Sequence, residues 1–497
     1  MNPKQNHLGN LSKRPFKSLA LQMIARVLVC FLIAGCAAVG PDYIPPEISE
    51  PGQWRAELKA GLTKVSMDSE MMAGWWTTLD DPTLTSLIQR AVTGNLDLKE
   101  ARSRVREARA RRGISAAERF PAIDATGSAS SSRSSEDVGS GERRELYAAG
   151  FDATWELDVF GGIRRSVEAA QADLETSRED YRDVMVSLLA EVALNYVEVR
   201  TFQTRLDVAE KNLETQEETY QLTVFRFEAG LSSALDMEQA KYNLENTRSK
   251  IPTLRISLEG AKNRLAVLLG IHPGALHADL SVKKPIPVTP LEIAVGVPAE
   301  VLRRRPDIRR AERELAAQTA RVGVATAELY PKFSLLGSIG LEALSFGDLF
   351  STGNRTDRIG PSVSWNIFDA GAIRKNIEVQ NALQEQALLK YEAAILNALE
   401  DVENALVSYA QDQYRRQSLS RATQAAERAV DLALKQYSSG IIDFQDILEA
   451  QRSLLSFQDQ LAESDGAVTS NLISLYKALG GGWTPLISET AESNGKN

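Results

Sequence analysis

Two stretches of this chain, 67 residues from Ile163 to Ala229 and 68 from Ala372 to Ser439, contain neither glycine nor proline. Nothing in them breaks a helix, so each is expected as a single helix of about 100 Å at 1.5 Å per residue. The ordinary helix is about 12 residues, and one several times longer needs a neighbour along a continuous apolar seam. A seven-residue ladder supplies such a seam: Val192, Val199, Leu206, Leu213 and Tyr220, with Phe202 and Ala209 beside it. Gly230 and Gly440 stand where a left-handed residue would end each helix. Helices from about 233 to 269 and 443 to 478 return, giving two helical hairpins.

The hairpins belong to an internal repeat at one fixed offset, the distance from Gly230 to Gly440. Arg119-Phe120-Pro121 is echoed by Leu329-Tyr330-Pro331, Trp155 by Trp365, Gly161-Gly162-Ile163-Arg164 by Gly371-Ala372-Ile373-Arg374, Asp236 by Asp446, and Leu269-Gly270 by Leu479-Gly480. One repeat is expected over 61–270, with its helical hairpin at 163–269, and the other over 305–480, with its hairpin at 372–478. The segment 271–304, with five prolines, links them, and 481–497 is a polar tail.

Ahead of each long helix the period changes to two. Phe151, Ala153, Trp155 and Leu157 alternate with Asp152, Thr154 and Glu156, and Ile359, Val363, Trp365 and Ile367 alternate with polar neighbours. Each repeat is therefore expected to carry a β-hairpin, at about 121–157 and 331–367. A small sheet packed on helices and a set of membrane-crossing strands both fit this pattern. Four strands cannot close a barrel in lipid, where unpaired backbone groups are prohibitively costly, so the second reading requires a ring of several chains.

Composition removes other classes. A net charge of -9 gives nucleic acid no basic footprint. Three histidines and two cysteines leave little for metal or cofactor chemistry, His272 and His277 suit a surface loop better than a metal, and no phosphate loop or catalytic Ser/His/Asp order is present. No cofactor and no enzymatic activity are expected. Residues 1–35 carry five cations, no acid and a short apolar run from Val27 to Ala34, the pattern of an export signal. Its end, Leu32-Ile33-Ala34-Gly35-Cys36, resembles a bacterial lipobox, which implies cleavage before Cys36 and acylation of that residue; a secretory signal with an incidental cysteine is the alternative. Residues 36–60 then form a proline-rich, lipidated tether, with Ala37 favouring sorting to the outer membrane. Removing the signal takes the charge from -9 to -14.

The ordered motifs Cys36-Ala37-Ala38-Val39-Gly40-Pro41-Asp42-Tyr43, Gly74-Trp75-Trp76, Asp81-Pro82-Thr83-Leu84, Asn95-Leu96-Asp97 and Arg304-Arg305-Pro306-Asp307-Ile308-Arg309 through Tyr330-Pro331-Lys332-Phe333 resemble the outer-membrane efflux proteins, TolC-like, in the lipoprotein branch named after NodT and OprM. The resemblance covers nearly the whole mature chain. It implies a mainly α fold with an α-helical tunnel, and a homotrimer sharing a 12-stranded transmembrane β-barrel. It further implies an exit duct of a tripartite efflux system in the outer membrane, with a periplasmic adaptor and an inner-membrane RND-type pump as partners and outer-membrane lipid around the barrel. Within that pattern Asp236, Tyr437, Asp446 and Glu449 fall at the periplasmic constriction, next to the turns at Gly230 and Gly440. The family's latch arginine is replaced by Ile442 and a neighbouring polar position by Leu235. On the residues alone, Asp236 and Asp446 are equally first-turn carboxylates favoured by the helix dipole, and Tyr437 a seam residue. The other functional reading is a lipid-anchored periplasmic coiled-coil scaffold without a pore. Cargo, whether drugs, metals, organic acids or peptides, is not encoded in these features.

Overall fold

A computed structural model describes residues 38–47, 51–65, 69–287 and 292–483; the export signal, Cys36 and the tail beyond 483 lie outside the described residues. In chain order the elements are β1 (Leu62–Thr63), α1 (Ser69–Ala73), α2 (Pro82–Gly94), α3 (Leu96–Ala117), β2 (Ala122–Arg133), β3 (Arg143–Leu157), α4 (Gly162–Glu228), α5 (Ala234–Leu268), β4 (Ile293–Ala294), α6 (Pro298–Arg304), α7 (Pro306–Ala327), β5 (Lys332–Ala343), β6 (Arg355–Ser364), α8 (Ala372–Ser438) and α9 (Phe444–Ala478). The fold is mainly helical, and its repeat is strict. α3 and α7 have 22 residues each, β2 and β5 12, α4 and α8 67, and α5 and α9 35, the members of every pair starting at equivalent positions of the two repeats.

Both long helices stop in the same way. The amide of Gly230 donates to Phe227 O and that of Leu231 to Arg226 O; Gly440 donates to Tyr437 O and Ile441 to Gln436 O. Both glycines have φ +71°, and an added Cβ would meet nothing within 4 Å, so backbone conformation rather than space requires glycine here.

The described chain divides into two compact units. One comprises residues up to 44, 109–173 and 315–387. Its antiparallel sheet runs β2-β3-β5-β6, so β3 and β5 join the repeats and β2 and β6 are its edges. β6 ends at Ser364, short of the expected Trp365 and Ile367, because an edge strand has a ladder on one side only and the chain then turns through Ala370 and Gly371, both at positive φ. The tether begins as a docked strap. Val39 N donates to Phe160 O, and Arg165, its side chain buried, donates to Val39 O (3.1 Å), Gly40 O (3.3 Å) and the Asp42 carboxylate (2.7 Å). Tyr43 packs on Ala172, Ala316 and Ala317.

The other unit comprises residues 45–108, 174–314 and 388 onward. Its core gathers Trp75, Trp76, Leu84 and Ile88 with Leu189, Tyr196, Leu265, Leu472 and Tyr476, and Trp75 stacks on Tyr476 at 5.3 Å. The ladder residues Val192, Val199 and Leu206 are buried, and Leu213 and Tyr220 half-buried. Several motif residues are joints in this unit. Asp81 caps α2 through Thr83 N and Leu84 N and accepts from the Tyr196 hydroxyl. Asn95 donates to Leu268 O (2.9 Å); its equivalent in the second repeat, Arg305, donates to Ala478 O (2.9 Å), the equivalent of Leu268 O. Arg305 also pairs with Asp307 and Asp401. The segment 271–304 holds α6 and β4, which pairs in parallel with β1.

Candidate functional site

The sheet is amphipathic and uncovered. Cross-strand register puts Ile123, Ala125, Phe151, Ala153, Trp155, Leu157, Phe333, Leu335, Ile339, Leu341, Ile359 and Val363 on one face. Phe151 is 56% exposed, Ile359 79% and Val363 59%, values far from those of a face packed on helices. The charges on this face, Arg133, Arg143, Glu145, Arg355 and Asp357, lie toward the loop ends of the strands. The opposite face carries Asp124, Thr126, Ser128, Asp152, Thr154, Glu156, Ser334, Ser338 and Ser362, with Leu146 and Leu336 its large apolar exceptions. Aromatic side chains mark both ends of the apolar face. Tyr147 meets Phe346 at 5.7 Å at one end; at the other, Phe160 stacks on Tyr330 at 4.6 Å. Tyr147 and Trp155, eight residues apart on β3, are separated by about 26 Å along the strand, about 20 Å of height at the 35–45° tilt of membrane-barrel strands and so within the roughly 25 Å apolar band of such a barrel. The indoles of Trp155 and Trp365 donate to Arg119 O and Leu329 O at 3.0 and 3.1 Å, a repeat-related pair of bonds.

In the second unit the hairpin ends hold the remaining expected residues. Ser233 N donates to the Asp236 carboxylate (2.9 Å) and Asp236 N to Ser233 Oγ (3.2 Å), so Asp236 is half of a capping box. In the second repeat Ser233 becomes Asp443, a carboxylate that makes no side-chain cap bond. Asp446 and Glu449 are exposed, three residues apart on α9, and form no ion pair among the described residues. Asp443 extends that row by a further three residues, and the family pattern did not mark it. Tyr437 is 4% exposed, and its ring packs against Phe444 at 5.7 Å. The Arg226 guanidinium lies over the ring at 4.4 Å and donates to Tyr437 O at 3.5 Å. Burial pushes the Tyr437 phenol up, with Arg226 opposing, and its hydroxyl has no hydrogen-bond partner among the described residues. Ile442 is half-buried against this cluster and Leu235 is exposed.

A polar ladder that periodicity alone did not reveal runs one position before the apolar one. Arg205 pairs bidentately with Asp459 (2.7 and 2.9 Å), Asn212 bonds Gln458 (2.7 Å), and Thr219 accepts from Gln451 (2.8 Å). Arg226 is the next step of seven. The signal was present in the sequence as polar residues at a fixed heptad position. Among the described residues no group of three or more His, Cys, Asp or Glu could hold a metal ion, and no helix is long and apolar enough to cross a membrane.

A family model described as outer membrane efflux protein matches residues 87–271 and 297–481, two segments in the register of the internal repeat. Nodulation protein T of Rhizobium leguminosarum bv. trifolii is 32% identical over 461 residues, 92% of this chain and 96% of that protein. The probable efflux pump outer membrane protein TtgC of Pseudomonas putida is 32% identical over 477 residues, 95% of this chain and 97% of its own. The solved structure of the outer-membrane channel OprN superposes with a TM-score of 0.85 at 38% identity, covering 90% of this chain and all of that one.

Proposed function

The chain belongs to the outer membrane efflux protein family and is an efflux channel of the outer membrane, and from that premise we propose that three copies close into one exit duct with a 12-stranded barrel. The members of this family are channels, not enzymes. The observation that carries the proposal is the sheet: one face apolar and exposed, the other polar, and both edges without a strand partner among the described residues. Such a sheet is costly in water and in lipid alike until its edges meet other strands, and three copies supply twelve. The apolar face then meets lipid and the polar face the water-filled interior.

The organisation we propose is a signal at 1–35, acylation of Cys36, a tether over 36–60, repeats at 61–270 and 305–480 joined by 271–304, and a tail from 481. The hairpin ends form the constriction. The unengaged carboxylates Asp446 and Glu449 are its charged ring, and Asp236 and Tyr437 hold the backbone of the two turns. A ring of carboxylates attracts cations, and substrate passes without covalent chemistry. A periplasmic adaptor and an inner-membrane RND-type pump complete the path.

Single-channel conductance in a planar bilayer, with oligomeric mass measured on the same preparation, tests the reading. A three-chain particle that inserts and passes ions is the expected result. A monomer or dimer with intact helicity and no conductance refutes the pore and leaves the anchored scaffold.

A further inference from the structure

The apolar face of the sheet ends differently at its two rims. Toward the helices it finishes in Ile123, Leu157, Phe333 and Val363, with no charge. Toward the loops it finishes in guanidinium groups: Arg143 on β3, Arg133 directly opposite it on β2, and Arg355 as the first residue of β6. Arg143 is twelve residues from Trp155 on the same strand and the same face. That is about 40 Å along the strand and about 30 Å of height at the usual barrel tilt. The arginine thus stands just past the roughly 25 Å apolar band, at the level of lipid headgroups.

Nothing else in the described chain accounts for these cations. Like charges directly opposite on a ladder are destabilising, yet Arg133 gives only its Nε–H, to Gly141 O, and Arg143 makes no hydrogen bond or ion pair among the described residues. Glu136, Asp137 and Glu142 of the connecting loop pair with neither arginine. Glu145, next to Arg143 on the same face, instead accepts the Tyr147 hydroxyl at 3.2 Å. Arg355 is likewise exposed and in no ion pair among the described residues. A guanidinium is always charged and matches phosphate oxygens with paired N–H groups. Resting on the channel reading, in which this face meets lipid, we infer that Arg133 and Arg143, with Arg355 on the same rim, form a binding site for a phosphate group of an outer-leaflet lipid. The phosphate offsets the repulsion between the two guanidiniums, as basic groups at a membrane rim do for anionic headgroups. Acyl chains below it cover the Tyr147 ring, the Phe346 ring packed against it at 5.7 Å, and the apolar residues that follow down β3. A soluble anion would satisfy the arginines and leave that surface bare. Arg144 and Arg358 are cations on the polar face of the same strands, so they supply equal charge without the apolar surface.

The test compares R133Q/R143Q with R144Q/R358Q, two variants of equal charge altered on opposite faces, in the full chain with Cys36 retained. Diphosphoryl lipid A, its dephosphorylated form and inorganic phosphate are added separately to detergent-purified protein. Two readouts are taken: lipid bound, by native mass spectrometry, and the rise in the temperature at which the assembled species dissociates. Diphosphoryl lipid A should raise that temperature for the unmutated protein and for R144Q/R358Q. R133Q/R143Q should lose the rise and bind the lipid roughly tenfold or more weakly. Should the double variant fail to assemble, R143Q against R144Q, neighbours on β3, carries the same comparison. An equal rise from dephosphorylated lipid A, or an equal loss in both variants, overturns the site. A rise from inorganic phosphate as large as that from lipid A shows a free-anion site and overturns the lipid assignment. If the unmutated protein conducts and lipid A changes nothing, the site falls while the channel stands; if it neither assembles nor conducts, the channel reading is what fails.

Discussion

Placing arginine on the apolar face of the sheet separates a membrane strand from a strand in a soluble scaffold. Phe151 is the ninth of fifteen residues in β3 and is 56% exposed, with Ala125 and Ile339 opposite it on the apolar face. Ser338, the neighbour of Ile339, faces the other way, opposite Asp152. In a lipid-embedded barrel Phe151→Arg costs about 2–4 kcal/mol at the midplane, whereas a lumen-facing substitution is tolerated. At 1.4 kcal/mol per tenfold, that is a factor of about 30 to 700 in the insertion equilibrium per chain. Three copies in one ring multiply it, for about 6–12 kcal/mol per assembly. Ser338→Arg, with Asp152 as counter-charge, should fold and insert nearly as well as the unmutated chain. Refolding from urea into phosphatidylcholine vesicles, scored by the shift in gel mobility between unheated and boiled samples, measures both. If the two variants insert equally, or if Phe151→Arg is the more stable, the apolar face does not meet lipid and the barrel reasoning fails.

Packing and ionisation give further expectations. Gly466→Ala would set a Cβ 2.2 Å from Thr201 Oγ1, so a loss of about 1–3 kcal/mol is expected, largely recovered with Thr201→Ala; urea midpoints in detergent measure it. The buried Tyr196 hydroxyl, which donates to Asp81 and accepts from Arg200, is pushed up to about 12 by burial first and by its bond to Asp81 next. A phenol raised from 10 stabilises the fold fully below pH 10 and loses that contribution, about 3 kcal/mol, as the pH rises to 12. Melting temperature should therefore fall over that window, and Tyr196→Phe should be less stable at pH 8 but flatter above pH 10. Arg165→Ala should release the strap, read as faster hydrogen exchange at the Val39 amide; unchanged protection would show that the strap is held without the guanidinium.

Much of this fold was legible because its determinants are long-ranged in sequence but simple in chemistry. The absence of glycine and proline over 67 residues, Gly230 and Gly440, and the fixed repeat offset sufficed for the helical hairpins, and period-two alternation sufficed for the strands. What periodicity did not disclose depends on which neighbour a side chain meets. Arg205, Asn212 and Thr219 read as a solvated flank until Asp459, Gln458 and Gln451 are placed opposite them. Nothing in the sequence sets Arg165 apart from the other helix cations, and only the path of Val39 to Asp42 makes it the strap's anchor. Pro252 falls inside α5, where a helix breaker would have argued for a boundary; at the corresponding place α9 has Ala462.

The comparison of the two repeats carries further than either alone. Equivalent residues with equivalent contacts, such as Asn95 to Leu268 O and Arg305 to Ala478 O, answer to the fold, because the same helix ends must be tied twice. Equivalent positions with different contacts answer to surroundings that differ. Phe227 is 40% exposed while its equivalent Tyr437 is 4% exposed beneath Arg226, so the two turns are built alike in backbone and unlike in side-chain support. Ser233 and Asp236 close a capping box, whereas Asp443 makes no side-chain cap bond at the start of α9 and leaves Asp446 exposed beside a second carboxylate. An engaged aspartate in one repeat and a free one in the other is what a fold would show if only its second turn lined the constriction with charge. On this argument Asp446→Asn should change ion selectivity, while Asp236→Asn should mainly weaken the cap of α5.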